Sequence, residues 1–156
     1  MATLADALPG ARVLELGAGT GLPGIVAASL GARVVQTDRQ DMAMFVCRRN
    51  AERNGVGRVE HRLAAWTAWS DADRYDLILG SDVLYADSMH PYLRRIFEGN
   101  LAAGGKVLLS DPFRADSLRL LEALEADGWG VTLTKWIVGE ETTPRPVGVF
   151  ELTQPG

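Results

Sequence analysis

The chain has 156 residues, of which 47% are hydrophobic and 23% charged, a profile that fits one ordinary globular domain with a single core. A formal net charge of −4 offers no basic field for a phosphate backbone, which argues against general nucleic-acid binding. No apolar run approaches the roughly 20 residues of a membrane span, the opening MATLADALPGAR lacks a secretory pattern, and one cysteine, Cys47, excludes an internal disulfide; a cytoplasmic protein is expected.

In chain order, residues 12–17 (RVLELG) predict a buried strand, and 22–31 (LPGIVAASLG) a helix with Pro23 in its first turn. RVVQTD, 33–38, is a second strand. DMAMFVCRRNAERNG follows as a helix with Met42, Phe45, Val46 and Arg49 on successive turns, Asp41 as N-cap and Gly55 as C-terminal stop. VEHRLAA and YDLILGSDV are strands three and four. SMHPYLRRIFEGNL is helical, with Leu93, Ile96, Phe97 and Leu101 in phase, and GGKVLLSD is a strand entered through two glycines. DSLRLLEALEADG is a helix that starts near Asp116 and ends at Gly128. VTLTKWIV and PVGVFELT alternate as an antiparallel pair, with Val138 to Gly148 as a surface loop between them. The alternation implies an α/β, Rossmann-like three-layer sandwich. Its sheet is mainly parallel with a final antiparallel strand, and helices cover both faces.

In such sheets ligands bind beyond the carboxyl ends of the strands, near the point where strand order reverses. There the chain reads VLELGAGTGLPG, Val13 to Gly24. Glycine permits positive φ and close approach to bare backbone, and the next helix aims free N–H groups at the same spot. GTGLPG matches the dinucleotide signature G-x-G-x-x-G, but it begins two residues late, and in correct register the third glycine is Leu22. Glu15 would repel a pyrophosphate, whereas beside a cationic ligand or a net of backbone amides it is at home. Asp38, at the end of strand two, is placed to accept both hydroxyls of a ribose. An adenosine ligand without a diphosphate satisfies both acids. The lone Cys47 and the tryptophans Trp66 and Trp69 read as packing residues, His61 and His90 as non-catalytic.

These residues closely resemble the first two motifs of the class I S-adenosylmethionine-dependent methyltransferases. With GSDVLYAD, Gly80 to Asp87, they resemble the seven-β-strand protein-lysine methyltransferase group. LLSDPFR, Leu108 to Arg114, is similar to the electron-transfer-flavoprotein β-subunit lysine methyltransferase branch. The resemblance implies one methyltransferase domain over 1–156 that uses S-adenosylmethionine and releases S-adenosylhomocysteine. It implies cofactor-binding roles for Glu15, Gly17, Ala18, Gly19, Gly21, Asp38, Arg39, Ala65, Trp66 and Asp82. Asp82 and Tyr85 would face the transferred methyl as catalytic residues, and Tyr85, Asp111 and Arg114 would line the substrate side. The acceptor it implies is a protein lysine; a small molecule, or a scaffold role without catalysis, stays open. No histidine–cysteine cluster is present, so no metal is expected. Relatives carry more residues before strand one, so the lid is expected to be short or absent, or supplied by a partner, or else the chain is a fragment. No membrane association is expected.

Overall fold

The computed structural model describes residues 2–140 and 142–156. A short helix α1 (Ala2–Ala7) precedes β1 (Arg12–Leu16), α2 (Leu22–Ser29), β2 (Arg33–Asp38), α3 (Asp41–Arg53) and β3 (Val59–Leu63). A 3₁₀ turn at Trp66–Ala68 leads into β4 (Tyr75–Ser81), and another at Asp87–Met89 into α4 (His90–Asn100) and β5 (Leu101–Asp111). Then come α5 (Ala115–Ala126), β6 (Gly130–Val138) and β7 (Arg145–Thr153). The seven strands form one sheet in the order β3-β2-β1-β4-β5-β7-β6. Pairing is parallel from β3 to β5, and β7 is antiparallel to both β5 and β6. Strand order reverses between β1 and β4, so the carboxyl ends of those two strands flank the natural ligand crevice.

The larger core lies between the sheet and α4 and α5, where Leu14, Ile78, Leu93, Phe97, Leu109 and Leu124 are all buried. Alternation sends Val13, Val34, Leu77 and Leu79 to the opposite face, against Ala27 and Ala28 of α2. On that face, among the described residues, no helix is laid over β5, β7 and β6. A trough of about 550 Å³ runs there, lined among others by Leu108, Thr134, Trp136 and Val149.

Three local expectations are corrected. Asp41 is not the N-cap of α3: Gln40 is, with extended backbone, and Asp41 sits in the first turn where its charge meets the helix dipole. The buried stripe of α3 is Met44, Cys47 and Ala51, while Met42 and Phe45 face solvent and Arg49 is exposed. The loop expected over 138–148 is shorter, because β6 runs to Val138 and β7 starts at Arg145; Glu141, within the expected loop, lies outside the described residues. Strand β5 also starts earlier than its two glycines. Its register against β4 shifts between the Tyr75–Leu101 and Leu77–Lys106 pairs, and Gly104 takes a φ of 74° within that irregularity.

Candidate active site

The chain leaves β1 through Gly17, Gly19 and Gly21, whose φ values of 60°, 57° and 81° lie in the left-handed region that β-carbons resist. A β-carbon on Gly17 would stand 3.1 Å from Val83 and 3.4 Å from Trp66, so the loop is closed over by the exits of β4 and β3. Beneath it lies Glu15, only 2% exposed. Its Oε2 accepts the Gly24 N–H at the start of α2 (3.1 Å) and a bond from Gln36 Nε2 (2.6 Å), which also donates to the Gly21 carbonyl (2.8 Å). Burial pushes the Glu15 carboxyl up to about 7, against the opposing pull of the Gln36 and Gly24 donors. Glu15 therefore acts from below, fixing the loop to the first turn of α2.

Asp38 holds the loop from the other side. Its Oδ2 accepts the Gly19 N–H at 3.1 Å and its Oδ1 the Gln40 N–H at 3.0 Å. Each carboxylate oxygen keeps a further lone pair for a hydroxyl donor. Ala18 N–H donates to the Thr37 carbonyl, and the Cys47 thiol donates to the Gly19 carbonyl at 3.3 Å. Burial first, then the Glu15 and Asp38 charges, push that thiol up to about 12, so it stays a protonated donor. Arg39 is exposed just past Asp38. Ala64 N–H donates to the Asp38 carbonyl, carrying Ala65 and Trp66 alongside, with Leu63 exposed at the same rim.

At the β4 exit, Asp82 has φ 55°, one of two described non-glycine residues with positive φ, and its N–H extends the ladder to the Ser110 carbonyl. The other is Phe113, φ 64°, in the turn between β5 and α5. Asp111 is buried there: Oδ1 accepts the Arg114 N–H (2.9 Å) and Oδ2 the Ser117 hydroxyl (2.6 Å). The Arg114 guanidinium reaches back across the strands to both oxygens of Asp82. Tyr85 lies three residues past Asp82 with a side chain half exposed to solvent. The sequence-predicted residues thus form two groups: Glu15, the glycines and Asp38 around the loop, and Asp82, Asp111 and Arg114 around the β4 and β5 exits.

Two participants were not foreseen. Gln36 bridges Glu15 to the loop, and a polar side chain inside the apolar run RVVQTD was the available signal. His90 is buried with Nε2 3.0 Å from the Leu84 carbonyl, bracing the loop that carries Asp82 and Tyr85. Among the described residues, no group of three or more His, Cys, Asp or Glu side chains is arranged to hold a metal. No described helix is long and apolar enough to cross a membrane.

A family model described as lysine methyltransferase matches residues 3–122, which include the glycine loop, Asp38, Asp82, Asp111 and Arg114. The chain belongs to the lysine methyltransferase family. Within known proteins it is similar to protein N-lysine methyltransferase METTL21A of Danio rerio, 41% identical over 108 residues, covering 65% of this chain and 49% of that one. It is also similar to histone-arginine methyltransferase METTL23 of Mus musculus, 39% identical over 84 residues, 50% of this chain and 33% of that one. The chain thus spans about half the length, or less, of these curated relatives. In fold it matches precorrin-6y C5,15-methyltransferase of Geobacter metallireducens, TM-score 0.80 at 16% identity, covering 98% of this chain and 86% of that one. It also matches N-methyltransferase NodS of Bradyrhizobium japonicum, solved with S-adenosylhomocysteine, TM-score 0.73 at 17% identity, covering 96% and 84%. The likeness to these solved structures is one of fold, and it spans nearly all of this chain, the seven-stranded sheet included.

Proposed function

We propose that this chain is one methyltransferase domain that binds S-adenosylmethionine and methylates the side-chain amine of a protein lysine. The observation that carries the reading is the left-handed glycine loop, pinned below by Glu15 and laterally by Asp38, opening beside Asp82 at the strand reversal. The residues fit the cofactor. Gly17, Ala18, Gly19 and Gly21 offer bare backbone to its amino-acid part, and Asp38 keeps lone pairs for the ribose. Arg39, Ala65 and Trp66 stand at the rim where a base would lie. When bound, S-adenosylmethionine supplies a methyl carbon on a sulfonium, taken by a neutral nitrogen as the carbon–sulfur bond leaves its electron pair on sulfur.

The protein's share is positioning, worth roughly 7–11 kcal/mol of barrier when the reacting atoms are held in line, so no protein nucleophile is needed. Asp82 and Tyr85 flank the acceptor as hydrogen-bonding groups, and Arg114 lines the entry with them. The likeness to METTL21A supports lysine as acceptor, and the lone cysteine, kept as a buried thiol, supports work in the reducing cytoplasm.

Calorimetric titration with S-adenosylmethionine, wild type against Asp38→Ala, tests the site. Micromolar binding that weakens by roughly tenfold or more in the variant is expected, since the ribose contacts and the Gly19 anchor go together. Unchanged affinity would remove Asp38 from the site. Labelled methyl recovered only in small molecules from a cell extract would remove the lysine assignment.

A further inference from the structure

We propose that Arg114 is a positioning residue that commits this site to a neutral amine and against a guanidinium acceptor, by engaging the carboxylate of Asp82. The inference rests on the methyltransferase reading and names its acceptor chemistry.

The relatives leave that chemistry divided, since one is named for lysine and another for arginine. An arginine acceptor keeps its positive charge at neutral pH and needs an uncommitted carboxylate to hold it. A lysine must instead arrive without its proton, and an unpaired carboxylate beside it would favour the charged, unreactive ammonium. The other carboxylates at this end of the sheet have partners of their own. Asp38 accepts two backbone N–H groups and turns its remaining lone pairs to the ribose, and Asp111 accepts Arg114 N–H and Ser117. Asp87 and Asp116 both pair with Arg119. Asp82, next to the glycine loop, is covered by the fork of Arg114 on both oxygens. The phenol of Tyr85 and the carboxylate of Asp87 are the other titratable groups on the Asp82 loop.

The pair is not held by its own attraction, because both side chains are nearly half exposed, and such pairs contribute little. It is built into the backbone. Left-handed conformations at Asp82 and Phe113, one on each strand exit, turn the two segments toward each other. An aromatic residue at positive φ is strained and persists only where packing over-determines it. The Phe113 ring stacks edge-on against Phe150, centroids 6.1 Å apart, in a slot that Gly148 leaves open. Asp111 then fixes the Arg114 backbone. Arg114 is tethered at both ends, and its positive charge offsets the carboxylate that an incoming cation would need.

The test is the pH dependence of methyl transfer from radiolabelled S-adenosylmethionine into extract protein, with the labelled amino acid identified after hydrolysis. Wild type, Arg114→Gln and Arg114→Lys are compared at matched cofactor saturation, with cofactor affinity measured for each. Expected are label in lysine for wild type and a rise of about one pH unit in the half-maximal point for Arg114→Gln, as the bared Asp82 stabilises the acceptor ammonium. That is a roughly tenfold lower rate near neutrality that recovers at high pH. Arg114→Lys, which keeps the charge, holds the wild-type midpoint. An unshifted profile in Arg114→Gln, whatever its rate, overturns the proposal, as does label in arginine from wild type. No transfer to protein by wild type at any pH overturns the function reading and this inference together; transfer with an unshifted profile overturns this inference alone.

Discussion

Glu15 is a carboxyl group folded into a place that resists its charge. Its ordinary value of 4.5 rises to about 7 in the fold, so the folded state holds the proton more tightly than the unfolded chain. The sign follows from linkage: the favourable contribution is complete below about pH 4.5 and is lost as pH rises through about 7. A shift of this size corresponds to roughly 2–4 kcal/mol. Wild type is therefore expected to lose stability between pH 5 and pH 8, while Glu15→Gln, which keeps an acceptor for Gly24 N–H and cannot ionise, stays level in the same window. Urea unfolding at the two pH values checks this, and parallel curves for the two proteins would show that Glu15 does not titrate there. Asp38 and Glu15 were visible in the sequence because each is an acid that ends or nearly ends an apolar run. Gln36 was less visible, since only the depth at which it lies makes its amide indispensable.

Gly148 shows how one element aims another. A β-carbon there would stand 2.8 Å from Phe150 and 2.9 Å from Phe113, so the β5–α5 turn depends on bare backbone in β7. Gly148→Ala is expected to cost about 1–3 kcal/mol of stability and, by displacing Phe113, to slow methyl transfer roughly tenfold. Affinity for S-adenosylmethionine should stay within about twofold, because the glycine loop lies across β4 from this turn. Equal loss of affinity and rate would show that the two groups are not separable. The elements themselves were legible wherever an apolar run stopped at glycine or an acid, as β1, β2 and β4 do. Helix α3 misled because two stripes compete at helical spacing. The bulkier one, Met42 and Phe45, faces outward, because the close approach of Gly21 admits only a small side chain, Cys47, whose sulfur would be 3.0 Å from a β-carbon there. Pro146 opens the expected strand PVGVFELT and is a strand residue in β7. It pairs with Ile137 of β6, while pairing with β5 stops at Gly148, so its missing N–H removes no bond on that side. The Asp82–Arg114 pair was out of reach: each residue was visible singly, but the two left-handed turns that join them leave no mark in composition.

At the scale of the molecule, the accessible surface is 8779 Å². A closed monomer of this mass is expected to expose roughly 7,700 Å². The excess has an address in the uncovered face over β5, β7 and β6, in the exposed Leu133, Trp136 and Ile137 of the edge strand, and in Leu22, Val26, Met42 and Phe45 on α2 and α3. An average chain of this length gains about 2 kcal/mol/K of heat capacity on unfolding. Here the increment should be smaller, with a correspondingly low denaturant slope, because apolar surface already in water cannot be newly wetted. Scanning calorimetry at several protein concentrations checks it, and a full-sized increment independent of concentration would mean that the face is closed in solution. The thermal consequence of the open trough is a slightly flatter stability curve. With the heat-capacity change lowered by roughly a tenth, free energy falls a little more slowly on either side of its maximum than it would in a closed sandwich.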